Sequence, residues 1–274
     1  MSRTYIIAEI GINHGGSLDT AKRLIDAAKD AGADSVKFQA RTIELVYLPD
    51  ELSRPRESPF GVTNGDLKRG LEFSVDQYAV LDRYCHDAGL AWSASCWDVQ
   101  SVARIAAFRP PWLKIPSALI TDLALLKAYK ETGLPCYLST GMSTAEEVAV
   151  AMGYLGSQAI PMACTSTYPC PASELNLRYI ATLIGQYGVA GFSSHCVSPW
   201  PVLGAVALGA SVIEAHLTLD RTAWGSDQAS SLEPKAFAKM IEEIRTMESA
   251  LGDGVKKLYD SEIPIKAKLR RVYA

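Results

Sequence analysis

Residues 5–39, YIIAEIGINHGGSLDTAKRLIDAAKDAGADSVKFQ, read as strand, helix, strand. Tyr5–Ile10 is a short β-rich apolar run, and a Gly/Asn/His loop follows it. Residues 17–32 then carry apolar side chains at helical period, Gly32 falls where a helix stops, and Ser35–Phe38 opens a second apolar run. Two strands joined through a helix are parallel, because the helix returns the chain to the starting edge of the sheet.

The same alternation continues along the chain. Further strands are predicted at Ala91–Ser95, Trp112–Ile115, Pro135–Ser139, Ile160–Cys164, Ala190–Ser193 and Ser211–His216. Helical patterns lie at 74–88, 98–109, 122–132, 144–155, 173–187, 200–209 and 234–251. Ser74, Asp98, Ser143 and Ser173 stand where N-caps are wanted, Glu146 follows Ser143 at capping-box spacing, and Gly89 and Gly133 mark helix ends. Eight βα units predict an α/β fold, a closed (β/α)8 TIM barrel forming one domain over residues 1–274. A doubly wound sheet is disfavoured, since the first turn, IGINHGG, lacks GxGxxG. Residues 40–71, with Pro49, Pro55, Pro59 and Gly61, read as an irregular loop after the second strand, long enough to cover the mouth.

With 48% apolar and 21% charged residues, the 274-residue chain can bury a sizeable core. Lys plus Arg number 27 against 30 Asp plus Glu, a net charge of -3 without charge runs, which argues against nucleic acid as a partner. No stretch has the length and apolarity of a membrane span, and the N-terminus does not read as a signal peptide. Six scattered cysteines without a CxxC fit reduced thiols and a cytoplasmic location.

Barrel enzymes carry their chemistry at the C-terminal ends of strands. Those ends hold Glu9, Asn13 and His14; Lys37 and Gln39; Ser95; Lys114 and Ser117; Ser139 and Thr140; Ser166 and Tyr168; Ser193, Ser194 and His195; Glu214 and His216, with Asp227 beyond. Two lysines among hydroxyls make an anion site, suited to a phosphorylated acid. His195 and His216 on neighbouring strands are candidate ligands for a divalent metal acting on a carbonyl. His14 reads as a turn stabiliser and His86 as exposed. A thiolate site built from Cys164, Cys170, Cys196 and His195 is disfavoured without a CxxC. No GxSxG elbow supports a hydrolase.

The segments IIAEIGINHGGSLDTAKRLIDAAKDAGADSVKFQ, LKIPSALITDLALL, LSTGMST, CTSTYPCP, GFSSH and EAHLTLDR…GSDQASSLEP resemble, in order and spacing, the sialic acid synthase (N-acetylneuraminate synthase) family. The resemblance implies condensation of phosphoenolpyruvate with an open-chain sugar aldehyde, N-acetylmannosamine or a diverged aldose. The products are a 3-deoxy-2-keto sugar acid and phosphate. Mn²⁺ is the implied ion, with Mg²⁺ or Co²⁺ as alternatives. It implies His195 and His216 as metal ligands, and Lys37, Lys114, Ser95, Ser139 and Ser193 as phosphoenolpyruvate contacts with Ser117 beside them. Glu9, Gln39, Ser166, Tyr168 and Asp227 fall on the sugar or metal side, with Glu9 or Asp227 acting on the attacking water.

Several residues depart from the family pattern. Leu119 stands where an acidic residue is usual, Ser166 for Asn, Ser194 for Asp and Gln228 for His. The expected reading is therefore a retained phosphoenolpyruvate half and a diverged acceptor half. Most members also carry a C-terminal antifreeze-like domain, and residues 268–274 fall near where its linker would begin. Two other readings stay open: a Schiff-base pyruvate aldolase using Lys37 or Lys114, and a non-catalytic barrel that binds a sugar acid or a partner protein. Tyr47, Trp97, Trp200 and Trp224 are candidates either for the mouth or for a homodimer interface.

Overall fold

The computed structural model describes residues 3–271. Eight parallel strands close into a barrel: β1 (Tyr5–Gly11), β2 (Ser35–Ala40), β3 (Ala91–Cys96), β4 (Leu113–Ile115), β5 (Cys136–Ser139), β6 (Ala159–Cys164), β7 (Gly191–Ser194) and β8 (Val212–His216). Each strand pairs with its sequence neighbours, and β8 closes on β1, where Glu9 lies level with His216. The main helices between and after them are α1 (Leu18–Ala31), α2 (Val75–Ala88), α3 (Val99–Ala106), α4 (Leu123–Glu131), α5 (Ala145–Leu155), α6 (Tyr179–Tyr187), α7 (Trp200–Ala207) and α8 (Pro234–Leu251).

Strand alternation explains how one barrel holds both a core and a polar site. Successive side chains point to opposite faces, so Ile6, Ala8, Ile10, Val36, Phe38, Phe192 and Ile213 face the helices and build the main core. The intervening positions face the barrel axis. At its lower end these are Ile7, Trp112, Met162 and Val212, a separate apolar plug bordered by Tyr5 and Tyr137. Two residues further along the same strands stand Glu9, Lys114, Cys164, Glu214 and Ser139. An apolar floor thus sits beneath a layer of polar side chains at the strand ends.

Helix ends follow local chemistry, with three differences from the sequence reading. Ser74 and Asp98 cap α2 and α3 as expected, and Ser17 caps α1. The α5 cap is Thr144 rather than Ser143, and its box partner is Glu147 rather than Glu146. Ser143 instead donates to the Gly141 carbonyl, 3.0 Å away, which leaves the next hydroxyl to cap the helix. Ser173 lies in a 3-10 turn, Ala172–Glu174, and α6 begins only at Tyr179. Residues 40–71 are not irregular: they form helices Ile43–Val46, Pro49–Leu52 and Asn64–Leu71 and a hairpin of Pro55–Ser58 with Gly61–Thr63. A Thr63–Asp66 capping box starts the last of these helices. After α8 the segment to Arg271 is exposed, with a 3-10 turn at Asp260–Glu262 leading into a short α-helix, Ile263–Leu269.

Candidate active site

The strand ends enclose a cavity of about 220 Å³. Its lining includes Glu9, Lys37, Gln39, Ser95, Lys114, Ser117, Ser139, Ser166, Tyr168, Ser193, His195 and His216, twelve of the thirteen residues to which the resemblance gives a role. Asp227 stands behind this wall, its Oδ2 4.0 Å from His216 Nδ1. Strand pairing brings these residues level: Glu9 with Lys37 and His216, Gln39 with Ser95, Ser95 with Lys114, and Ser193 with Glu214.

Both lysines are buried and neither is a free cation. Lys37 Nζ lies 2.8 Å from Glu9 Oε2 and 3.7 Å from Glu214 Oε1, and it donates to Ser95 Oγ at 2.6 Å. Lys114 Nζ is 3.1 Å from each oxygen of Glu214, which also accepts from Ser193 Oγ at 3.1 Å. Glu214, read from the sequence only as a strand-end residue, is thus the hub of the charge network. Its position two residues before His216, on the same inward face, was the available signal.

Burial shifts the two carboxyls differently. Glu9 is raised to about 7 because desolvation outweighs the pull of Lys37 and the Glu214 charge adds to the rise. For Glu214 burial also favours the neutral form, but Lys114 and Lys37 together overcome it and hold the group at about 2. The Lys37 ammonium is stabilised upward against burial by Glu214 and Glu9. Two cations facing two carboxyls, one of which takes up a proton near neutrality, can shed or gain charge as an anion arrives.

The imidazole rings of His195 and His216 are 5.5 Å apart. His195 Nδ1 lies 2.7 Å from the Thr165 carbonyl oxygen, while its Nε2 faces Tyr168 Oη at 2.9 Å. That arrangement puts the ring proton on Nδ1 and leaves the Nε2 lone pair on the cavity side, where it accepts from the Tyr168 hydroxyl. His216 Nδ1 is buried without a hydrogen-bond partner, and desolvation lowers its ring to about 4, keeping it neutral. Two imidazoles side by side, one held neutral by burial with an orphaned nitrogen and the other anchored through its Nδ1 to a backbone carbonyl, with a carboxylate close behind, fit a divalent cation. Among the described residues no cluster of three His, Cys, Asp or Glu completes a protein cage, so other positions would fall to water or substrate oxygen.

On the other side of His195 stands Cys164, its Sγ 3.9 Å from Nδ1 and 3.8 Å from Ser117 Oγ. Burial opposes its thiolate, but His195, Lys114 and Ser117 outweigh that and bring the thiol down to about 7. Cys170 and Cys196 do not line this cavity, and all six cysteines are free. Ser139 Oγ is buried without a partner, an unspent hydroxyl beside the lysines.

The departing residues have clear positions. Leu119 packs against the main core, and Ala118 lines the cavity instead. Ser194 is buried, and its Oγ accepts from the Cys196 amide at 3.3 Å. Gln228 is buried, where it accepts from Thr218 Oγ1 and donates to the Asn13 carbonyl at 3.2 Å, tying two mouth loops together. His14 is buried, stacked on Phe73 at 4.1 Å and accepting from the Gly16 amide, whereas His86 is exposed. Trp97 lines the cavity, Trp200 is half exposed at the start of α7, and Tyr47 lies beneath Lys68.

The NeuB family profile matches residues 24–256. The chain is 38% identical over 272 residues to the N-acetylneuraminate-9-phosphate synthase of Homo sapiens, covering 97% of this chain and 76% of that one. It is 34% identical over 279 residues to the N,N'-diacetyllegionaminic acid synthase of Legionella pneumophila, with 97% and 78% covered. The solved N-acetylneuraminic acid synthetase of Leptospira borgpetersenii superposes with a TM-score of 0.85 at 33% identity, covering 99% of this chain and 94% of that one. The chain belongs to the NeuB family of sialic acid synthase-like enzymes.

Proposed function

We propose that this NeuB-family sugar-acid synthase joins phosphoenolpyruvate to the aldehyde of an open-chain sugar, with a divalent metal ion present. The products are a 3-deoxy-2-keto sugar acid and inorganic phosphate. The observation that carries the reading is the convergence of Lys37, Lys114, His195 and His216 on one small cavity.

Phosphoenolpyruvate is a compact trianion. Lys37 and Lys114, each with three N–H donors, can keep one carboxylate contact while turning others to phosphate and carboxylate oxygens. Ser95, Ser139 and Ser193 supply neutral donors beside them, and Ser117 and Ser166 border the same space. Gln39 and Tyr168, which line the same cavity, are assigned to the acceptor. His195 and His216 would hold the ion, Mn²⁺ foremost with Mg²⁺ or Co²⁺ as alternatives, and when bound it supplies Lewis-acid polarisation of the acceptor carbonyl.

The C3 carbon of phosphoenolpyruvate forms the new bond to the aldehyde carbon. Water adds at C2, the C2–oxygen bond to phosphate breaks, and phosphate leaves with that bonding pair. As its oxygen becomes the C2 ketone the water gives up two protons: one goes to the former aldehyde oxygen and the other leaves on the phosphate. Glu9 is better placed than Asp227 to carry the first, because Glu9 lines the cavity and its value of about 7 lets it accept and return a proton near neutrality. Asp227, 4.0 Å from His216 Nδ1, places a negative charge behind that ring.

A Schiff-base aldolase needs an amine with a lowered pKa. Lys37 is shifted the other way and both lysines are clamped by carboxylates, which favours the condensing reading. Incubation with phosphoenolpyruvate, Mn²⁺ and a panel of aldoses is expected to release phosphate with a new keto acid, and EDTA is expected to stop it. Borohydride trapping of pyruvate on a lysine, unaffected by EDTA, would reject the proposal.

A further inference from the structure

Arg41 stands behind the cavity wall, and its side chain reaches two residues of the lining. Its Nη2 donates to Gln39 Oε1, and its guanidinium lies over the Trp97 ring at 4.4 Å. Gln39 and Trp97 both line the cavity. One cation thus holds one lining residue by a hydrogen bond and rests on the aromatic face of another.

The chain around Arg41 is fixed from several sides. The Arg41 amide donates to Glu72 Oε1 at 2.9 Å, and its carbonyl accepts from Arg104 Nη2 of α3 at 3.0 Å. Thr42 donates to Asp98, the α3 cap, from its amide at 2.7 Å and from its hydroxyl at 3.0 Å. The Gln39 carbonyl accepts from Tyr78 Oη of α2 at 2.8 Å. The turn after β2 is therefore anchored to α2 and α3, and the Arg41 side chain starts from a set point.

The Gln39 amide has two orientations open to it, and only one suits its neighbours. Its Nε2 donates to Glu9 Oε1 at 3.1 Å. Turned over, it would set its carbonyl oxygen against a carboxylate oxygen, two acceptors facing each other. A guanidinium only donates, so Arg41 accepts no orientation but the one that presents Oε1 to it. That leaves one N–H of Nε2 on Glu9 and the other for an oxygen of a bound substrate. Space keeps the pair close: a Cβ built on Gly11, whose φ is +54°, would stand 3.1 Å from both Gln39 Nε2 and Glu9 Oε1.

We infer that Arg41 is a positioning residue of this site, acting through Gln39, whose amide it holds with the nitrogen toward Glu9 and the acceptor. The inference rests on the condensing reading for the reaction in which its effect is measured, and it adds a residue that does not itself touch the substrate.

The test is a double-variant cycle in the full chain, with Arg41→Met, Gln39→Met and the two combined. Arg41→Met is expected to raise the KM for the sugar acceptor about tenfold while the KM for phosphoenolpyruvate holds, and to add no further loss in the Gln39→Met background. A second readout needs no turnover: solvent exchange of the Gln39 side-chain amide by NMR in protein labelled with [15N]glutamine, its signal assigned by its disappearance in Gln39→Met. Exchange should quicken about fivefold in Arg41→Met. The Gln228 amide, held by Thr218 and the Asn13 carbonyl, should keep its rate. Additive losses in the cycle, an equal rise in both KM values, unchanged Gln39 exchange, or equal quickening at Gln228 overturns the inference. Should no sugar condense with any of the proteins, the condensing reading fails, and the exchange comparison alone then upholds or rejects the hold of Arg41 on Gln39.

Discussion

The Lys114 ammonium stands 3.1 Å from both oxygens of the Glu214 carboxylate at the centre of the barrel mouth. Lys37 reaches the same carboxylate at 3.7 Å while held by Glu9 at 2.8 Å. The mouth thus holds a balanced set of buried charges, which an entering anion can rearrange.

Glu214→Gln removes the hub of that set and leaves two buried ammonium groups facing one carboxyl. Breaking a buried pair in this way should cost about 3 kcal/mol of folding stability. An anionic ligand would restore the missing charge, so phosphoenolpyruvate should raise the melting temperature of the variant more than that of the wild type. Differential scanning fluorimetry with and without the ligand reads both effects, and an equal ligand shift in the two proteins would contradict the exchange.

Gly141 packs where a methyl group would collide with Ser166 Oγ and lie 2.9 Å from Ser117 Oγ. Gly141→Ala should therefore displace two cavity hydroxyls and raise the KM for phosphoenolpyruvate about tenfold, a shift of about 1.4 kcal/mol. Gly153, inside α5 with open space around it, is the control. Its alanine variant should leave kinetics alone and stabilise the fold by about 0.5–1 kcal/mol in urea unfolding.

Thr144 accepts from the Glu147 amide as the α5 cap, while Ser143 does not cap the helix. Thr144→Ala should lose about 1 kcal/mol, and Ser143→Ala clearly less. Urea midpoints at constant slope give the comparison.

Burial lowers His14 to about 3, against an ordinary value of 6.5. Below pH 6.5 the unfolded chain takes up a proton at this position and the folded chain does not. Stability contributed by the neutral ring is therefore complete above pH 6.5 and drains away as pH falls toward 3, by up to about 1.4 kcal/mol per pH unit. His14→Gln should flatten the pH dependence of unfolding free energy between pH 4 and 6.5; an unchanged slope would mean the ring titrates normally in the fold.

The sequence made the barrel legible because strand runs such as Tyr5–Gly11 and helices such as Leu18–Ala31 carry their own periods and caps. It also exposed the mouth residues, since each closes an apolar run. Two things were hidden. Adjacent hydroxyls such as Ser143 and Thr144 compete for one cap, and only the path of the preceding turn decides between them. The pairing of Lys114 with Glu214 spans 100 positions, and barrel closure alone sets the side chains opposite each other. The 40–71 segment read as irregular because its helices are four to eight residues long, too short to establish a period.

Lys37, Lys114, His195 and His216 are proposed to act together on one bound substrate. A crystal grown with Mn²⁺ and phosphoenolpyruvate, measured at the manganese absorption edge, examines it directly. One anomalous peak is expected within bonding distance of His195 and His216, with phosphoenolpyruvate density placing its anionic oxygens on Lys37 and Lys114. Manganese bound away from both imidazoles, or phosphoenolpyruvate seated outside the barrel mouth, would contradict it.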